Sequence, residues 1–174
     1  MRIAVTGTPG TGKTSAARRL SEALGMTYID ISEIAEKTGA IVGKEGDSWV
    51  VDVDTVRESL ESMDDIIIDS HFAEMVDVDL VFVLRCEPTT LYERLKARGY
   101  PEEKIRENVL AEILDYSLQN ALTFHPADRI FEILENPVEE IIKIVRAPDP
   151  KRSAANGSKT HFLTRENLNL VRES

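Results

Sequence analysis

Cysteine is nearly absent from these 174 residues: Cys86 stands alone. One thiol excludes an internal disulfide and a cysteine-rich zinc site. Cys86 follows the strand-like run Leu80-Val81-Phe82-Val83-Leu84, so a buried, inert thiol is expected. No apolar run reaches the ~20 residues of a membrane span. Met1-Arg2-Ile3 enters the first strand directly, which leaves no room for a signal peptide. These absences point to the cytoplasm, with no membrane partner. Basic charge is scarce too: 21 Lys and Arg face 31 Asp and Glu, for a net charge of −10. The deficit is uneven. From residue 147 onward, five bases (Lys151, Arg152, Lys159, Arg165, Arg172) face three acids, so the tail is +2 and the body −12. An acidic body argues against a DNA or RNA backbone as main ligand. It suits a basic protein partner or a well-solvated surface. No internal repeat is visible.

What is present begins at Gly7-Thr8-Pro9-Gly10-Thr11-Gly12-Lys13-Thr14. It fits G-x-x-x-x-G-K-[ST], the phosphate-binding P-loop. Arg2-Ile3-Ala4-Val5-Thr6 before it reads as a buried strand. Ser15 to Leu24 after it reads as a helix stopped by Gly25. Glycines let consecutive N–H groups turn inward around a phosphate. The helix N-terminus adds unpaired donors and the positive end of its dipole. Lys13 is expected on the β- and γ-phosphates, and the Thr14 hydroxyl on Mg²⁺.

The chain's length suits one domain, and 42% hydrophobic with 30% charged residues makes it globular. Thr27-Tyr28-Ile29 reads as a strand. Asp30 and Glu33, at capping-box spacing, open a helix to about Thr38, stopped by Gly39. Residues 39–48 read as a loop, and Trp49-Val50-Val51 as strand-like. Asp52 or Asp54 caps a helix through Val56 and Leu60. Asp65-Ile66-Ile67-Ile68-Asp69 and Leu80 to Arg85 are near-continuous apolar runs, as in parallel strands covered on both faces. Pro88 opens a helix closed by Gly99. Pro101 starts a long helix to about Phe124, whose Ile105, Val109, Ile113 and Leu114 form a core face. Arg129 to Leu134 is the last strand, and Pro137 opens the last core helix. The β-α rhythm, repeated about five times, predicts an α/β fold with a doubly wound, five-stranded parallel sheet. Residues 1–147 form the core; residues 148–174 read as a flexible extension.

Asp69 ends a buried strand next to the loop, where an acid holds Mg²⁺, usually through water. The bland alternative is a helix cap or turn residue. His71 lies two residues on. A monophosphate acceptor brings its own ionised nucleophile. His71 therefore suits orienting water, or a switch, better than the role of kinase base. Residues 85–106 carry six bases (Arg85, Arg94, Lys96, Arg98, Lys104, Arg106) against four acids, so the segment is +2 within the acidic body. Arg94 and Arg98, four apart, share a helix face and can clamp a migrating phosphoryl group. Arg98-Gly99-Tyr100-Pro101 joins two helices, as a lid hinge would.

Gly7 to Thr14, Tyr28-Ile29-Asp30-Ile31, Val51-Asp52-Val53-Asp54, Asp69-Ser70-His71, Val83-Leu84-Arg85, Leu91-Tyr92-Glu93-Arg94-Leu95, Arg98-Gly99-Tyr100 and Asn108, Glu112, Ile113 occur in this order. Together they resemble the adenylate kinase isoenzyme six family, which includes the coilin-interacting nuclear ATPase protein and archaeal members. The resemblance covers residues 2 to about 145. It implies a P-loop NTPase of the nucleoside monophosphate kinase type, with a short acceptor region at about 30–53 and a lid at about 97–107. It implies transfer of the γ-phosphoryl of ATP to AMP or a related monophosphate, with Mg²⁺ as cofactor, and hydrolysis of ATP. ATP would contact Gly10, Gly12, Lys13, Thr14, Ser15 and Arg98. Lys13, Asp69, His71, Arg94 and Arg98 would serve the chemistry, with Thr14 and Asp69 toward the metal. Such proteins act in late maturation of the small ribosomal subunit by binding small-subunit ribosomal protein eleven. A monomer without direct DNA binding is expected. Two departures stand out. Glu36-Lys37 occupies the acceptor helix where the family often has arginine, and Asn136-Pro137 replaces Asn-Lys near the adenine. The alternative is a small-metabolite P-loop kinase with no ribosomal role; Asp69-Ser70-His71 argues against it.

Overall fold

Strand β1 (Arg2–Thr6) sits at the centre of a five-stranded sheet, and the rest of the chain is laid down on either side of it. The computed structural model describes residues 1–45, 48–70, 75–150 and 159–172. After β1 come α1 (Lys13–Leu24), β2 (Thr27–Asp30), α2 (Ile31–Thr38), β3 (Ile41–Glu45), β4 (Ser48–Val51), α3 (Val53–Leu60) and β5 (Ile66–Asp69). Then follow β6 (Leu80–Leu84), α4 (Pro88–Ala97), α5 (Glu102–Ile113), α6 (Tyr116–Phe124), β7 (Ile130–Ile133), α7 (Pro137–Val145) and α8 (Arg165–Asn169). The sheet order is β2-β5-β1-β6-β7, and every pairing in it is parallel. This is the doubly wound α/β sheet the apolar strands predict.

Alternate side chains of each strand face opposite layers. Ala4, Ile66, Ile68, Val81 and Val83 pack with Ile31, Ala35, Val56 and Leu60 of α2 and α3 and with Leu118 and Ala121 of α6. Ile3, Val5, Ile67, Phe82 and Leu84 pack with Ala16, Ala17 and Leu20 of α1 and Val138 and Ile141 of α7. Phe82 and Phe131 stack across neighbouring strands at 5.2 Å. Each fully buried side chain of this size contributes about 1.5–3 kcal/mol. That is why β5 and β6 need no polar face. Strand order reverses at β1, and ligands of open α/β sheets bind outside the C-terminal strand ends at such a point.

Three local expectations are corrected. Residues 41–45, expected within a loop, form β3 and pair antiparallel with β4. The β-branched pair Ile41-Val42 outweighs the glycines around it. The long helix from Pro101 is two helices. Asp115 between α5 and α6 has φ 56°, which breaks the helical ladder, and its carboxylate accepts a bond from Arg85. The extension is anchored at one buried residue, Phe162, rather than loose throughout. Phe162 is buried with Leu91, Leu95, Ile105 and Val109, and Leu168 and Val171 lie against them. A short helix forms there with Thr164 as its cap, accepting from the Asn167 N–H. Among the described residues, no helix is long and apolar enough to cross a membrane.

Candidate active site

The loop between β1 and α1 is shaped by Gly7, where φ is 140° and a Cβ would lie 2.5 Å from the Leu84 carbonyl oxygen. No other residue fits that approach. The Thr8 carbonyl is the loop's inner anchor. It accepts from the Thr11 N–H at 3.2 Å, the Thr11 hydroxyl at 2.9 Å and Lys13 Nζ at 3.1 Å. Helix α1 starts at Lys13 with Gly12 as its cap, no side-chain cap bond and no acid in its first turn. Such an end favours an anion.

A cleft of about 480 Å³ opens beside this end. Gly10, Gly12 and Ser15 of the loop and α1, Arg94 and Arg98 of α4 and its cap, and Asn136 all line it. The structure thus brings together Gly10, Gly12, Ser15, Arg94 and Arg98, which are distributed over 89 residues of sequence. Arg94 and Arg98 are exposed. Lys13 and Thr14 are not among the residues lining the cleft: Lys13 is turned onto the Thr8 carbonyl and Thr14 is exposed on the first turn of α1. Leu134, Glu135, Asn136 and Pro137 form part of the rim. A second cavity of about 350 Å³ lies against Gly7, Thr8 and Pro9, walled by Tyr100, Lys104 and Asn108.

Asp69 ends β5, in register with Val5 of β1, and is buried. Its carboxylate accepts from the Tyr28 hydroxyl at 3.0 Å. Burial, then the Asp69 charge, pushes the Tyr28 phenol above its ordinary range, so it stays protonated and donates. The Thr14 hydroxyl and the Asp69 carboxylate are hard oxygen donors. They fit Mg²⁺, which takes one or two protein oxygens and completes its shell with phosphates and water. Such a site needs no cluster of three acids, and none occurs among the described residues. His71 lies outside the described residues.

Behind the loop is a buried ionic cluster that sequence reasoning did not assign. Arg85 Nε donates to Glu112 at 2.8 Å; its other nitrogens reach Glu132, Asp115 and the Glu112 carbonyl. Glu112 also accepts from the Cys86 N–H at 3.1 Å and from the Thr8 hydroxyl. The tail closes the cluster: Phe162 lies over the guanidinium at 5.2 Å, and the Lys159 N–H donates to Glu132. Burial pulls the Arg85 pKa down, but Glu112 and Asp115 outweigh it, so the pKa lies above its ordinary value. The available signal was charge inside apolar strands: Glu132 within Ile130–Ile133 and Arg85 directly after Leu84. Cys86 is buried, as expected, and burial raises its thiol.

The AAA domain family matches residues 3–115. A protein named "Putative adenylate kinase" from Natronomonas pharaonis is 42% identical over 157 residues, covering 85% of this chain and 94% of that protein. The protein of that name from Methanocaldococcus jannaschii is 34% identical over 169 residues, covering 93% and 96%. Among solved structures, shikimate kinase from Acinetobacter baumannii in complex with shikimate matches with a TM-score of 0.54 at 18% identity, over 83% of this chain and 89% of that one. Deoxyadenosine kinase from M. mycoides with its products matches with a TM-score of 0.54 at 18% identity, over 83% and 98%. At such identities the structural likeness concerns the fold alone.

Proposed function

Because the chain belongs to the AAA domain family and to the family of archaeal proteins named "Putative adenylate kinase", we propose that it is a nucleoside monophosphate kinase. It transfers the γ-phosphoryl of ATP to AMP or a related monophosphate, and it also hydrolyses ATP. The observation that carries this reading is one cleft in which the phosphate loop, a helix N-terminus capped by glycine and two exposed arginines converge.

Phosphoryl transfer depends on positioning and charge stabilisation more than on covalent chemistry by the protein. Loop N–H groups and the α1 N-terminus hold the phosphates of ATP. Lys13, bonded to the Thr8 carbonyl of the same loop, is the charge for their β- and γ-oxygens. Thr14 and Asp69 would hold Mg²⁺, which when bound supplies positive charge to the β- and γ-oxygens. Arg94 and Arg98 stabilise charge on the migrating group. The acceptor's phosphate is its own nucleophile, so transfer needs no general base. Hydrolysis requires a positioned water, and we assign that to His71 on sequence grounds. The acceptor region is α2 with the β3-β4 hairpin, the lid runs from about 97 to 107, and residues 1–147 make up the core.

The acidic body and the resemblance described above support a further role in ribosome assembly, through a basic small-subunit ribosomal protein. The deciding experiment measures ATP turnover by the purified protein with and without AMP, and with and without that basic protein. With AMP present, ADP formed faster than ATP is lost, approaching twice that rate as transfer outpaces hydrolysis, is expected. AMP-independent turnover alone would reject the kinase.

A further inference from the structure

Glu112 is 2% exposed and belongs to α5, yet one of its oxygens is bonded to the phosphate loop 104 residues earlier. The partner is the hydroxyl of Thr8, itself 3% exposed. Its other oxygen is fixed from two sides, by Arg85 Nε at 2.8 Å and the Cys86 N–H at 3.1 Å. Arg85 is in turn held by Glu132 and Asp115. On the far side of Thr8, its carbonyl carries Thr11 and Lys13. A continuous chain of bonds therefore runs from the sheet and α5, through Glu112 and Thr8, to the lysine expected on the phosphates.

We propose that Glu112 is a positioning residue for nucleotide binding: it fixes Thr8, and through Thr8 the curvature of the loop and the resting place of Lys13. The inference rests on the reading of the loop as an ATP site. A buried ion cluster is a poor device for stability, since apolar packing of equal volume does as well or better. It is a good device for register, because each member's direction is set by hydrogen bonds. Glu112 is buried behind the loop and reaches it through the Thr8 hydroxyl. Its effect is transmitted by one hydroxyl, so the hydroxyl can be tested without disturbing the cluster.

The experiment titrates Mg-ATP into the full chain and into Thr8→Val, Thr8→Ser, Glu112→Gln and the Thr8→Val/Glu112→Gln double variant, with melting temperatures alongside. Thr8→Val removes the donor at nearly constant volume. Glu112→Gln keeps an oxygen for Arg85 and Cys86 but turns an NH₂ toward Thr8. Each should weaken ATP binding roughly tenfold, as loss of a bond to a charged group does. Thr8→Ser should restore binding, and the double variant should be no weaker than the worse single. Unchanged affinity in Thr8→Val and Glu112→Gln, with only the melting temperature lowered, would overturn the proposal. So would losses that add. A wild-type chain that binds ATP but transfers nothing to AMP sinks the kinase reading and leaves this one standing.

Discussion

The Tyr28 hydroxyl, from the edge strand β2, donates to the Asp69 carboxylate at the end of β5 across 3.0 Å. Arg18 covers the Tyr28 ring at 4.3 Å and holds it in place. If Asp69 faces Mg²⁺, Tyr28 orients its ligand, and such outer partners are worth 10–100-fold in metal affinity. Tyr28→Phe should raise the free Mg²⁺ needed for half-maximal activity about tenfold. The phenol's raised pKa means its stabilising bond is present at and below ordinary phenol pH and fades as pH rises further. The check is a Mg²⁺ titration of both proteins at pH 7; superimposable curves would remove Asp69 from the metal site.

Lys13→Ala should lower AMP phosphorylation and ATP hydrolysis together by orders of magnitude, because both acceptors need the same charge on the β- and γ-phosphates. The cost in stability should be small, about 1 kcal/mol, since the bond from Nζ to the Thr8 carbonyl is only half-buried. Coupled assays and a thermal melt on one preparation check both halves. Near wild-type turnover with either acceptor contradicts the loop's role.

Arg98 is exposed at the end of α4, next to Gly99, whose φ is 75°. Its contact with phosphate would form on lid closure, near the transition state. Arg98→Ala should therefore lower kcat more than it raises KM. Loss of one such donor costs ~3 kcal/mol, about a hundredfold in rate. Among the described residues, nothing lies within 4 Å of where a Cβ at Gly99 would be. Gly99→Ala should thus cost only the left-handed backbone penalty of ~1 kcal/mol. Steady-state kinetics decide the first point: a tenfold higher KM for ATP with unchanged kcat makes Arg98 a ground-state binding residue.

Cys86 lines the cleft beside the glycine loop, with Arg94 Nη1 at 3.5 Å from its sulfur. Burial raises the thiol's pKa above its ordinary 9.0, Arg94 lowers it, and Glu112 and Glu87 raise it again. A raised folded pKa favours the neutral thiol in the native state. Its contribution to stability is complete below the ordinary value and is lost as pH climbs past it. Alkylation should be slow at pH 7–8, rise only above the ordinary thiol range, and be blocked by bound ATP. Arg94→Ala removes the lowering charge, so it should slow alkylation at any fixed pH. A midpoint near pH 7 would contradict this environment.

The five parallel strands were legible because Ile66-Ile67-Ile68 and Leu80 to Leu84 leave no polar face, and only a sheet covered on both sides accepts such runs. The loop was legible because its glycines and lysine are adjacent in sequence. Helix stops at Gly25 and Gly39 were local facts of the same kind. What sequence could not supply was partnership at a distance. Arg85, Glu112, Asp115 and Glu132 are ordinary charges until folding buries them against one another. Asp115 splits a helix that periodicity reads as continuous, because Arg85 binds it from 30 residues away. Phe162 returns from a segment that composition marks as loose, because α4 and α5 offer it an apolar seat. Backbone preference and hydrophobic period act over a few neighbours and can be read in order. Desolvated charge pairs and tertiary packing depend on which remote residues share a volume, and only the folded chain decides that.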